Sequence, residues 1–352
     1  MKISFGNKNP AFSIALKKKV DGYFAAHDRK LTGNRHLYWK TGILLGSATV
    51  FYVLMLLHPA AWVSLLCFAL LGLSLAVIGF NVMHDGAHGS YSGKGWVNEI
   101  MAYSLNLMGG NSYLWKQKHN LMHHSFTNIE SHDEDITIPF MRTHRSQPKR
   151  SYHRFQHLYS LPLYTLTYIS LVYVKNFREY FTCKIGAQKS KKMNLKEHTI
   201  FWFSKLAYLF LFIGLPALVL GFWKAMLGYL IMAMVCGFVL GVVFQLAHVV
   251  EETDFPLPDD ETQRIGRDWT IHQLATTANF STNSKVISWL LGGLNFQVEH
   301  HLFPRISHVH YPGLSLRVKE VCAEYGVQYI EHPNLLRALR SHVAYLKMVG
   351  NQ

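Results

Sequence analysis

Residues 61–88 read AWVSLLCFALLGLSLAVIGFNVMHDGAH, an apolar run without fixed charge through 83 that ends in the pair His84 and His88. A helix needs ~20 mostly apolar residues to cross a bilayer. This stretch is therefore expected to span a membrane and to run on past its edge, carrying H-x-x-x-H on the extension. Upstream, the charge-free run reaches back to 41, and His58, Pro59 and Ala60 mark a tight turn inside it. Segments 41–58 and 61–83 then form one hairpin of spans. Residues 206–223 and 225–250 also lack Lys, Arg, Asp and Glu, which predicts a second hairpin at about 201–222 and 225–247. Apolar residues concentrated in this way exclude a pair of soluble domains.

Charge orients the spans. Nine Lys and Arg lie in residues 1–40 and twelve in 142–196, whereas the two outer turns hold only Lys224. The bias places both termini on the cytoplasmic side. The net charge of +14 is read as membrane flanking, so no nucleic acid partner is expected. Residues 155–174 are charge-free and long enough to span. A fifth crossing, however, would put the last histidine cluster on the wrong side, so they are read as an interfacial helix. Residues 97–114 hold Glu99, Gly109, Gly110 and Asn111 and are read as a shallow segment. Residues 12–24 place Phe12, Leu16, Val20, Tyr23 and Phe24 on one helical face beside Lys17, Lys18 and Lys19, the pattern of a helix lying on the membrane. The acidic stretch 251–261 reads as a solvated loop, and 312–348 as two amphipathic helices.

The expected class is an all-α integral membrane protein with four transmembrane helices and a cytoplasmic helical cap holding a di-metal site. Its parts are an N-terminal segment (1–40), a membrane domain (41–320) and a C-terminal cap (321–352). The four cysteines are far apart and form no C-x-x-C pair, which argues against a disulfide framework, a zinc ribbon and an iron–sulfur site.

Histidine carries the metal argument. His84 and His88 are four residues apart, as are His119 and His123, a spacing that stacks two rings on one helical face. His124 sits about 100° around from His123, and His300 and His301 repeat that adjacency. Adjacent histidines can therefore reach different ions. With His248, at the end of an apolar run, the set reaches eight imidazoles, more than one ion requires. Iron and copper both suit such a site, and spacing leaves them open. Gln297 stands where a third histidine of the last cluster could stand. Its amide can bind a metal weakly or hydrogen-bond a neighbouring ligand. The other thirteen histidines, His272, His308 and His310 among them, are read as non-ligands. Asp85, Asn128, Asp133, Asp135, Glu251 and Glu299 are the candidate partners of the ligand rings.

The order H-x-x-x-H, H-x-x-x-HH and Q-x-x-HH around two pairs of spans resembles the membrane fatty acid desaturase family over roughly residues 35–320. The context GGLNFQVEHHLFP, together with MHDGAHGS and HHSFTN followed by DEDI, is similar to its front-end branch, which includes linoleoyl-CoA desaturases. The resemblance implies a non-haem di-iron centre with O2 as co-substrate, the eight histidines as ligands, and an acyl-CoA or acyl-lipid substrate. EHPN at 331–334 lacks the glycines of the fused haem motif found in many such enzymes. Electrons are therefore expected from a separate ferredoxin or cytochrome b5 with its reductase, for which the basic stretch 142–196 is a candidate docking face. The expected location is the bacterial inner membrane, or the endoplasmic reticulum in a eukaryote. A lipid, sterol or carotenoid hydroxylase on the same scaffold is the nearest alternative. A membrane metal transporter is more distant, because it would carry its polar residues within the spans.

Overall fold

The computed structural model describes residues 3–6, 10–26, 29–57 and 60–352. It is mostly helical, with only two-residue strand pairings among the described residues. Four helices are long and apolar enough to span a membrane: Arg35–Leu56, Ala61–His88, Leu195–Leu220 and Phe222–His248. They match the expected pair of hairpins. Of the expected tight turn, His58 and Pro59 lie outside the described residues. The third span begins earlier than its apolar run because Asn194 caps the amide of Glu197 at 3.0 Å, which starts the helix one polar turn before the bilayer core. Lys205 lies within the span, just before its charge-free run. Its ammonium donates to the carbonyls of Gly109 (2.5 Å) and Val172 (2.9 Å), so the cation is bonded rather than exposed to lipid.

Residues 155–174 do not form one long helix. Gln156–Tyr164 contains Pro162 and ends in a turn before Thr167–Ile169, which leads into the wider coil Ser170–Lys175. Pro162 has no amide to give the ladder, and the helix closes two residues later at Tyr164, where Thr165 and Leu166 donate three residues back instead of four. Residues 97–114 are likewise divided among short helices (Gly95–Ala102, Ser104–Leu107, Ser112–Lys116).

The chain forms two compact units. One comprises 34–117 and 161–242 and contains nearly all of the four spans. The other comprises 1–33, 118–160 and 243–352. The core of the second unit corrects one expectation. Phe12, Leu16, Val20 and Phe24 of helix Pro10–Ala25 are buried against Leu314, Val318, Val321 and Cys322 of helix Tyr311–Tyr325, together with Phe296, Val298 and Leu302. The apolar face expected to lie on lipid is thus used for protein packing, which buries the same side chains without a membrane.

The last helix, Leu335–Asn351, docks on residues 142–156. Arg142 donates to the Val349 carbonyl (2.7 Å), Gln156 to Leu346 (2.8 Å), and the Tyr345 hydroxyl to Thr143 (2.8 Å). Arg142 is therefore a buried structural cation, not part of an exposed basic face.

Candidate metal centre

Six of the eight predicted ligands, and Gln297, belong to the unit formed by 1–33, 118–160 and 243–352. His119 and His123 lie on Gln117–His123, which is a π-helix rather than the expected α-helix. The His124 amide donates to the His119 carbonyl five residues back (3.1 Å), the bond that widens the coil. The His119 and His123 rings still stack, 5.0 Å between centroids. His124 turns its Nε2 to within 3.2 Å of His119 Nε2. His248 is the last residue of its span. His300 and His301 lie on the short buried helix Gln297–Leu302.

These elements bring the rings together. One nitrogen each from His123, His248 and His301 lie within 4.8 Å of one another, and so do those from His124, His300 and His301. His301 belongs to both groups. All five of these rings are buried, and ring centroids are 4.3 Å apart for His124–His301 and 4.7 Å for His123–His248. Two overlapping sets of three imidazoles suit two neighbouring metal ions of the borderline type.

The remaining ring nitrogens hold the rings in place. Nδ1 of His123 meets the Asp133 carboxylate at 3.0 Å, and Nδ1 of His248 meets the Thr276 carbonyl at 3.2 Å. Nδ1 of His300 meets the Tyr311 hydroxyl at 3.1 Å, and Nδ1 of His301 the Gln273 side-chain carbonyl at 2.8 Å. An Nδ1–H donated to such an acceptor leaves the lone pair on Nε2, the tautomer that binds metal. His123 Nε2 is buried and has no hydrogen-bond partner among the described residues. An unmet buried nitrogen costs ~1–3 kcal/mol, a cost that a metal ion at Nε2 would remove. The donor set therefore fits a metal.

The neighbouring carboxylates also act on the charge of the His123 ring. Burial lowers the proton affinity of His123, but Asp133, with help from Asp135, reverses this and holds it above the ordinary value. Burial works against ionisation of Asp135, yet Lys118 at 2.7 Å holds its carboxyl well below the usual range.

Of the six candidate partner residues, Asp133 touches the ring of a candidate ligand, His123, directly. Asn128, in left-handed conformation at φ 58°, donates its amide to Asp133 (2.9 Å) and its side chain to the His248 carbonyl (2.9 Å). Asp135 stands 3.6 Å from His119 Nδ1, too far for a hydrogen bond. Glu299 turns away to Asn279 and Tyr329, both at 2.8 Å, and burial pushes its carboxyl up to about 7. The backbone amide of Glu251 is bound by Ser341. Gln273, Thr276 and Tyr311 carried no signal in sequence; only tertiary packing brings them to the rings. The amide of Gln297 lies 2.9 Å from His248 Nε2. His272 belongs to neither histidine group and packs its ring on Phe5.

His84, His88 and Asp85 belong to the other unit. The second span passes through a π-turn at Gly79–Met83 before the turn His84–His88. The two rings lie 4.6 Å apart, and each is 5.8 Å from Trp115. Gly86 between them is required by close packing. A Cβ there would lie 2.7 Å from Met101 Cβ and 2.8 Å from the Ala102 amide.

Four apolar spans and buried imidazole groups that could hold metal ions define a multi-pass membrane protein with a candidate metal centre, and comparison with known proteins identifies the class. The fatty acid desaturase family profile matches residues 21–333. The chain is 36% identical over 351 residues to an acyl-lipid (8-3)-desaturase of Physcomitrium patens, covering 97% of this chain and 72% of the relative. It is 36% identical over 360 residues to an sn-1 linoleoyl-lipid 6-desaturase of Synechocystis, covering 99% and 98%. A 6-desaturase of the same description from Arthrospira platensis is 35% identical over 357 residues, covering 99% and 95%. The chain belongs to the fatty acid desaturase family. It is a multi-pass membrane oxidoreductase that desaturates fatty acyl chains.

Proposed function

We propose that this chain is a front-end desaturase of lipid-linked acyl chains, using O2 and a non-haem di-iron centre. The observation that carries the metal reading is the pair of overlapping imidazole groups that share His301. The front-end reading rests on the Gln297 form of the third box and on relatives named as 6- and (8-3)-desaturases of acyl lipids. The proposed ligands are His84, His88, His119, His123, His124, His248, His300 and His301, with Gln297 beside them.

Iron, when bound, supplies the two-electron chemistry by which O2, two donor electrons and two protons convert one –CH2–CH2– unit into a cis –CH=CH– unit and two waters. The protein's part is to orient the rings. Asp133, Tyr311 and Gln273 fix Nδ1 of His123, His300 and His301 so that Nε2 would face a metal. Thr276 does the same for His248, whose Nε2 the Gln297 amide would have to yield to a metal, and burial excludes bulk water from the imidazoles. Electrons would come from a separate ferredoxin or cytochrome b5. The positive-inside distribution favours a cytoplasmic active face, with the bacterial inner membrane as the site of action, or the endoplasmic reticulum in a eukaryote.

The test is fatty-acid profiling by gas chromatography–mass spectrometry. Cells making the protein, given oleate and linoleate and a compatible donor, are compared with His119→Ala, His123→Ala and His301→Ala controls. A new double bond between an existing one and the carboxyl end, only in the wild type, is expected. A hydroxylated product would instead favour the hydroxylase, and well-folded protein without bound iron would reject the di-iron reading.

A further inference from the structure

The basic stretch 142–196 divides into two parts with different environments. Its first part includes the buried Arg142, whereas its last part is an exposed lysine cluster between helix Asn176–Thr182 and the third span. Strands Lys184–Ile185 and Gln188–Lys189 pair antiparallel, and Lys184 stands directly opposite Lys189. Lys191, Lys192 and Lys196 follow, and all five side chains are exposed. Like charges directly opposite on a two-stranded ladder destabilise it. Among the described residues no carboxylate pairs with any of the five.

The cluster is nevertheless held in one shape. The Lys191 amide donates to Gln117 Oε1 (2.5 Å), the Tyr113 hydroxyl to the Lys192 carbonyl (3.0 Å), and Ile185 is buried. Phe181 (69% exposed) and Leu195 (82% exposed) flank the lysines, and Leu195 opens the span Leu195–Leu220. Cations interleaved with exposed apolar side chains at the start of a span fit the headgroup layer of a bilayer, where lysines meet phosphate and apolar groups enter the acyl region. A soluble acidic protein would leave Phe181 and Leu195 unmatched.

We propose that Lys184, Lys189, Lys191, Lys192 and Lys196 form a docking surface for the phosphate headgroups of anionic membrane phospholipids. The test uses the full chain in neutral detergent, with native mass spectrometry measuring bound phosphatidylglycerol against phosphatidylcholine. Wild type is expected to prefer phosphatidylglycerol at least tenfold, with the preference falling as salt rises. Replacing all five lysines with Gln should abolish the preference, and replacing them with Arg should keep it. Should the fivefold Gln protein not fold, the pair Lys184→Gln and Lys189→Gln should still reduce the preference at least threefold. Equal binding of the two lipids by wild type, or an unchanged preference in the Gln variants, would overturn the proposal. So would a Gln variant that keeps its lipid preference but needs more of an acidic electron donor for half-maximal turnover, because the lysines would then serve a protein partner.

Discussion

The side-chain amide of Gln297 lies 2.9 Å from Nε2 of His248, whose Nδ1 is turned to the Thr276 carbonyl. The third histidine box and the lone histidine at the end of the fourth span therefore meet through an amide, at the position where a third histidine of that box could stand. Gln297 is buried, so it acts on this ring and not on solvent.

Gln297→Leu is accordingly expected to cut turnover at least tenfold. A buried amide that hydrogen-bonds the Nε2 of His248 has no substitute in an alkyl group. Turnover and iron per chain, measured together, test this. Wild-type values for both would reduce Gln297 to a packing residue, and Gln297→His would show whether a rigid ring can serve in its place.

Gln273 is fully buried and accepts from His301 Nδ1 at 2.8 Å while its amide donates to the His124 carbonyl at 3.1 Å. Outer partners of metal-bound histidines typically contribute ~10–100-fold in metal affinity. Gln273→Leu should lower iron affinity within that range, and Gln273→Glu, which keeps the acceptor for His301, should retain more iron than the Leu variant. Competition against a chelator reads both. Equal iron retention in the two variants would show that the hydrogen bond to His301 does not set affinity.

Gly86→Ala places a methyl group against Met101 and the Ala102 backbone. Overpacking of this kind costs ~1–3 kcal/mol. Because the backbone that must yield carries His84 and His88, the thermal midpoint in detergent and the iron content should fall together. A midpoint and iron content equal to those of wild type would mean that helix Gly95–Ala102 can move aside without disturbing the first box.

His342 is buried with Nδ1 2.6 Å from the Val249 carbonyl, and burial pushes its pKa down from 6.5 to about 4. Between those values the unfolded chain binds a proton that the folded chain does not. Stability from this residue is therefore complete above about pH 6.5 and is lost as pH falls toward 4. The expected loss is ~1–3 kcal/mol. His272, pushed down to about 3 mainly by burial, adds in the same direction. Thermal midpoints at about pH 7.5 and about pH 5 should differ less in His342→Gln than in wild type. An unchanged difference would remove His342 from the acid response.

The sequence by itself determined the membrane class, the two hairpins of spans and the histidines most suited to bind metal. Charge-free apolar length decides where a chain can sit in lipid, and metal-ligand chemistry is confined to few residue types. Local pattern was less reliable for the exact coil. The spacing of His119 and His123 predicts an α-turn, yet the chain forms a π-turn, because a difference of one residue in hydrogen-bond register leaves little mark on composition. The N-terminal helix was legible as amphipathic, but its apolar face would be equally satisfied by lipid or by Leu314 and Val318. Only the fold chose the latter. The partners of the ligand rings were hidden for the same reason. Gln273, Thr276 and Tyr311 are ordinary residues in sequence and become orienting groups only because folding carries them within hydrogen-bond distance of His301, His248 and His300. Ligand type is a property of the side chain, whereas ring orientation is a property of what the fold places behind it.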